Sequence, residues 1–202
     1  AYSRAEQAVD HFEDTLEKGR YRNATAERYG YARALARAGR LDAASRQLAR
    51  LLQAHPSQVE FVVLQSELDR RRGDAAKAVS DLKGAVGLSP GNWPLQQAYA
   101  ESLLDAGEPA TALATLERLI ALRPDIAPVY GLMADAAGKA GDKAAAMRWR
   151  AELLFRTGDL EPAIRQLELA LRQPNLDFHA ASKIQVRLDE LQAEERRREA
   201  RR

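Results

Sequence analysis

The residues that could do chemistry in this chain are few, and their spacing argues against catalysis. The three histidines, His11, His55 and His179, lie in separate stretches, and none stands in HExxH or at metal-ligand spacing to another. No serine or threonine is in register with a histidine, so a nucleophilic triad has no basis. There is no cysteine, which removes disulfides, thiol nucleophiles and thiolate metal sites together. The glycines are dispersed and form no phosphate-cradling loop. Glu194 and Glu195 are paired carboxylates, but they sit in the charge run EERRREARR and read as solvated surface. The chain is therefore expected to be no enzyme, to hold no metal and to need no cofactor of its own.

The charge balance narrows the partners. Lys and Arg number 31 against 29 Asp and Glu, a net of +2, so the pI near 9.0 demands no nucleic acid. The basic end, Arg196 to Arg198 with Arg201 and Arg202, is interleaved with glutamates and has no aromatic beside it. Nucleic-acid binding is not expected of it. No apolar run approaches the roughly 20 residues of a membrane helix, so direct insertion is not expected either. The chain opens Ala1-Tyr2-Ser3 without an initiator methionine, as expected of a processed or excised piece.

What must position any functional side chain is a repeat. Gly39, Gly73, Gly107 and Gly141 are spaced by 34, and so are Pro56, Pro90 and Pro124. Each glycine follows an amphipathic segment such as AERYGYARALARA, and each proline closes a second one, so both act as helix stops. Ala32, Ser66, Ala100 and Ala134 recur where first helices must approach neighbours, with Ala44, Ala78, Ala112 and Ala146 matching them in second helices. Leu48, Leu82 and Leu116 fill the space between. Pro109 falls at a helix start, where its missing N–H costs nothing.

A helix–turn–helix of this period resembles the tetratricopeptide repeat (TPR), although the consensus Trp and Tyr are mostly replaced. The resemblance implies an all-α solenoid in which each unit buries its apolar face against its neighbours. An opening helix within 1–20 precedes units 25–58, 59–92, 93–126 and 127–157. An overlapping repeat, 144–174, follows from the last glycine interval, Gly141 to Gly158, which is half the others. In this reading 144–156 is one helix serving two units, with Ala151, Ala163 and Ala170 in the small-residue columns. Residues 175–202 form a capping helix with Phe178, Ala181, Ile184, Leu188 and Leu191 on one stripe, and its last turns are expected to fray.

By that resemblance the first helix of each unit lines a partner groove. The residues expected there are Tyr29, Arg33, Glu67, Glu101 and Asp135, with Arg148 and Phe155 adding to them, and Trp149 reading as packing. Glu60, Val63, Arg70, Gln97, Leu104 and Glu152 share the same positions. The Lys and Asn clamp with which some TPR domains hold an acidic C-terminus is absent, since Tyr29, Arg33, Leu64, Pro94 and Ala98 stand in its places.

The run RYGYARALARAGRLDAA, the segment NWPLQQAYAESLLDAGEPATAL and the stretch from Met147 to Gln192 together resemble the C-terminal TPR domain of BepA-type periplasmic zinc metallopeptidases. Order and spacing carry this resemblance. It implies a recognition domain for outer-membrane protein assembly and quality control, located in the periplasm. Its partners would be an attached protease domain and the assembly machinery, with zinc held by that protease domain and by nothing in this chain. The alternative is a free-standing TPR scaffold attached to no protease.

Overall fold

The computed structural model describes residues 3–174 and 176–200, and among these it is all-helical. In chain order the helices are α1 (Arg4–Glu17), α2 (Ala24–Arg37), α3 (Leu41–Ala54), α4 (Val59–Arg71), α5 (Ala75–Leu88) and α6 (Trp93–Asp105). They continue with α7 (Pro109–Leu122), α8 (Ala127–Lys139), α9 (Lys143–Thr157), α10 (Leu160–Leu171) and α11 (Phe178–Glu199). The chain divides into two compact units, one ending at Ala106 and the other beginning at Gly107.

Local chemistry sets the helix ends. Ser3, Asn23, Asn92, Asp142 and Asp177 each accept a backbone N–H three residues on, satisfying a donor that the helix itself leaves free. At the far ends, Gly39 and Gly141 hold φ at +79° and +86°, where a side chain would be strained. The residue after each of these glycines donates to the carbonyl five back, Arg40 to Leu35 and Asp142 to Ala137, which locks the turn.

In the first unit, α1 to α4 close around Val9, Ala32, Leu35, Leu48, Phe61, Leu64 and Leu68. Ala32, Ser66 and Ala100 are buried, as are Ala44 and Ala78, so the small-residue columns mark helix contacts here. Phe12 fits over Gly30, where a Cβ would lie 2.5 Å from its ring. That glycine in RYGYAR is thus a packing site rather than a turn.

In the second unit, Ala151, Ala163, Ile164, Leu167 and Ala170 join Ile184, Leu188 and Leu191 in one core. Helix α9 packs against both α8 and α10. Its burial is not equally shared. Ala151 is buried in the first-helix column of the later unit, whereas Ala146 is only half-buried and Arg150, in the Leu48–Leu82–Leu116 column, is exposed. The side chains thus follow the later register, and the earlier unit borrows the helix through small contacts such as Ala146 on Gly138.

One expectation for the end of the chain changes. Phe178 leaves the buried stripe, being 88% exposed, because it is the first residue of α11 and precedes the part that meets α10. Helix α11 continues to Glu199, with Glu194 accepting from Arg198 across one turn.

Candidate protein-interaction surface

The side chains left over after packing decide what this scaffold can touch. In the first unit, the outward positions of α2, α4 and α6 form linked rows. Tyr29 tilts against Phe61 with ring centroids 5.3 Å apart, and the Arg33 guanidinium lies 5.9 Å from its ring. Burial pushes the Tyr29 hydroxyl above its ordinary range, with Arg33 pulling the other way, so the phenol stays a neutral donor.

The acidic middle of the row is already engaged. Arg70 in α4 reaches α6, donating from Nε to Asp105 at 2.7 Å and from its other end to Glu101. Gln97 also donates to Glu101, at 2.8 Å. Burial alone would lower the Arg70 value, but the hydrogen bonds to Asp105 and Glu101 outweigh it and hold the guanidinium more firmly charged. Glu67 lies 3.7 Å from Arg71 on its own helix. Leu104, expected in the same row, is instead buried, since the column three before each glycine also carries the buried Ala36.

In the second unit, Asp135 is exposed and stands 4.0 Å from Arg150. Arg148 lies with its guanidinium 3.9 Å over the Trp149 ring, and Trp149 is buried, as its reading as packing requires. Phe155 is half-buried, covered by Arg187 of α11 at 4.8 Å. Arg187 also forks onto Glu152 at 2.6 and 3.0 Å and onto Glu190 at 2.7 Å. The expected site residues therefore fall into two groups. Tyr29, Arg33, Glu67 and Glu101 stand together in the first unit, and Asp135, Arg148 and Phe155 belong to the second.

Sequence reasoning missed Arg187, Asp69 and Lys77. The signal for Arg187 was present, because it lies 35 residues after Glu152, the separation that also joins Arg70 to Asp105. Asp69 had no signal. It occupies a column filled by Leu35 and Leu103 in neighbouring units, yet is buried as a carboxylate accepting from Gln65 and Lys77. Among the described residues no group of three or more His, Asp or Glu is arranged to hold a metal ion. Among the same residues no helix is long and apolar enough to cross a membrane.

Family models of the tetratricopeptide repeat match residues 29–92 and 70–136, spanning the stretch whose glycines and prolines repeat by 34. The chain carries tetratricopeptide repeats. Solved structures show the same fold. The chain is similar to TTC0263, a thermophilic TPR protein in Thermus thermophilus, at 22% identity over 94% of this chain and 91% of that one, with a TM-score of 0.54. It is similar to MamA residues 41 to the end from Desulfovibrio magneticus RS-1, at 18% identity over 86% and 98%, with a TM-score of 0.58. It is also similar to YrrB, a TPR protein with an unusual peptide-binding site, at 15% identity over 81% and 84%, with a TM-score of 0.56. No curated protein matches the chain closely. Tetratricopeptide repeats form scaffolds for protein–protein interaction, and that is the class of this chain.

Proposed function

We propose that the chain is a protein-recognition module that holds an extended segment of a partner on the outward rows of its first helices. The observation that carries this reading is the Tyr29–Arg33–Glu67–Glu101 row, which runs along three successive first helices with Arg33 exposed, Glu67 and Glu101 part-exposed and Tyr29 at the edge of the core. An aromatic and a cation at one end and carboxylates further along would read a segment with an acidic or aromatic part followed by a basic one.

The finer reading is that this module is the recognition domain of a periplasmic zinc metallopeptidase acting in outer-membrane protein assembly and quality control. It rests on the order and spacing of the segments from RYGYARALARAGRLDAA to the stretch ending at Gln192. Zinc would then belong to the protease domain, and the protease domain and assembly machinery would be its partners. A free-standing TPR scaffold attached to no protease is the second reading. Reading the coding sequence upstream in the same frame separates the two, since an HExxH domain there supports the first and its lack the second.

Recognition itself is tested by selecting binders from a displayed library of random peptides. The wild type should enrich a consensus, and Tyr29→Ala with Arg33→Ala should weaken the selected peptide about tenfold while the helical spectrum is kept. A library that yields no binder, or binders indifferent to every residue of the row, would sink the proposal.

A further inference from the structure

The short interval from Gly141 to Gly158 leaves the array one helix short, and the seat of that helix is open. Glycine stops 34 residues apart, such as Gly39 and Gly73, enclose a second helix and the first helix of the next unit. Gly141 and Gly158 enclose α9 alone. Helices α8 and α10 both pack on α9, and a groove of about 460 Å³ lies between them with α9 as its floor. Its volume falls in the range of ligand-binding clefts.

The floor is one stripe of α9. Lys143, Ala146, Met147, Arg150 and Leu154 follow at intervals of three and four, so they share a helix face. In complete units this face is core, since Leu48, Leu82 and Leu116 fill the column of Arg150 at 0% exposure. Here the leucine is replaced by a cation where the neighbouring helix is missing. The walls add Ala134 and Gly138 from α8 and Gln166 from α10. Leu169, 42% exposed, follows Gln166 by three residues on the same face of α10.

The lining therefore holds two cations and no carboxylate. Two carboxylates stand beside it. Asp142, next to Lys143, accepts the Ala145 N–H at 2.8 Å and is spent on capping α9. Asp135 on α8 lies 4.0 Å from Arg150, but the two side chains are 60% and 54% exposed. Water screens so long and open a contact to little net worth, which leaves Arg150 available to another anion.

We infer that this groove takes an acidic amphipathic helix of a partner protein, seated in place of the skipped helix. A helix fits because it pairs its own backbone groups, whereas an extended segment would set them against side chains with little to offer. Small residues at the seam of α8 and α9, where a Cβ on Gly138 would lie 3.9 Å from Ala146, let it approach closely. Lys143 and Arg150 are two turns apart, about 10 Å along α9. Met147 and Leu154 repeat the same interval. The occupant accordingly carries a carboxylate every seventh residue and an apolar residue every seventh between them. The inference rests on the chain being a recognition module, but it assigns a groove within the second unit and not the row in α2, α4 and α6.

The test is fluorescence anisotropy on the full chain with a dye-labelled, alanine-based helical peptide in which Glu and Leu each recur every seventh residue. A counterpart has Gln for every Glu. The wild type should prefer the glutamate peptide about tenfold, a difference of about 1.4 kcal/mol. Lys143→Gln with Arg150→Gln should remove that preference, and Gln166→Glu, which places a carboxylate in the wall, should weaken the glutamate peptide alone. Lys183→Gln on α11, outside the groove, should change nothing. If the double variant loses its helical spectrum, Arg150→Gln alone should still weaken the glutamate peptide about threefold. A proline in the middle of the peptide should abolish binding, because the helix is the ligand. Equal binding of the two peptides, full binding by the double variant, or unchanged binding of the proline peptide would overturn the inference. So would a dimer of the chain that Arg150→Gln dissolves, since the groove would then belong to a second copy. Library peptides that bind through Tyr29 and Arg33 while the acidic helix does not bind would defeat the groove and leave the recognition module standing.

Discussion

Arg70 and Asp105 join two successive first helices, Nε to Oδ2 at 2.7 Å, where α4 packs directly on α6. The same one-period reach recurs where Arg40 meets Glu6, at 2.6 Å and 34 residues, and where Arg187 meets Glu152, 35 residues apart. Arg71 does likewise to the Ala36 carbonyl at 2.6 Å. Polar ties one repeat apart thus add to the direct packing of first helices, as of α4 on α6.

Arg70→Ala should therefore destabilise the chain by about 1 kcal/mol, the low end for charged hydrogen bonds because water screens the partly exposed Asp105. Urea melts followed by circular dichroism would measure it. The loss should shrink in high salt, which screens the wild-type pair and leaves the variant little changed. The same variant frees Glu101, so a basic partner segment on the first row should bind more tightly to it.

The core leucines make a sharper contrast. Leu48, Leu82 and Leu116 each reach 0% exposure in successive second helices, while Leu122, at the end of α7, is 57% exposed. Any one of the three changed to alanine should cost about 2–5 kcal/mol, through lost transfer energy and the cavity left behind. Leu122→Ala should fall within about 0.5 kcal/mol of the wild type. Thermal melts of the four variants would check both statements, and an equal cost for Leu122 would contradict the assigned columns.

This contrast shows which parts of the structure a sequence can disclose. Glycine and proline at a fixed period are backbone requirements, and backbone requirements are local, so helix ends and the repeat were readable from Gly39 to Gly158. The surface was less so. Glu101 read as a free carboxylate because the cation that holds it lies a whole helix pair away in the chain. Phe178 read as core because it continues a stripe, yet a stripe says nothing about where the neighbouring helix begins. Arg148 was legible as an outward residue, whereas its stacking over the Trp149 ring was not.

Gly158, which makes the last interval half the others, should be the least replaceable of the turn glycines. Its φ of +99° lies furthest from the left-handed values other residues reach, although a Cβ there would meet nothing within 4 Å. The cost of Gly158→Ala is thus backbone strain alone, about 1–2 kcal/mol. Gly158→Asn should cost less, since Asn tolerates this region better. A melt series on both variants reads the difference. Equal costs would point to packing rather than backbone conformation.

Asp69 and Lys77 give a prediction in pH. The Lys77 ammonium donates to Asp69 and Asp81, both at 2.8 Å, and the hydrogen bond to Asp69 is the main reason its pKa rises above the ordinary 10.5. A group whose folded value is raised binds its proton more tightly when folded, so its stabilisation is whole below pH 10.5 and fades as pH climbs through the folded value. The stability difference between wild type and Lys77→Met should accordingly be constant through neutral pH and vanish only at strongly alkaline pH. Below that window Lys77→Met strips a buried carboxylate of its cation, leaving Gln65 as its remaining side-chain donor, and should be clearly destabilising. Adding Asp69→Leu restores the residue type of Leu35 and Leu103 in the same column and should recover most of the loss. Denaturant midpoints at neutral and alkaline pH for the three proteins test all three statements. A wild-type advantage that disappears near neutral pH would show that this ion pair does not hold Asp69 in the core.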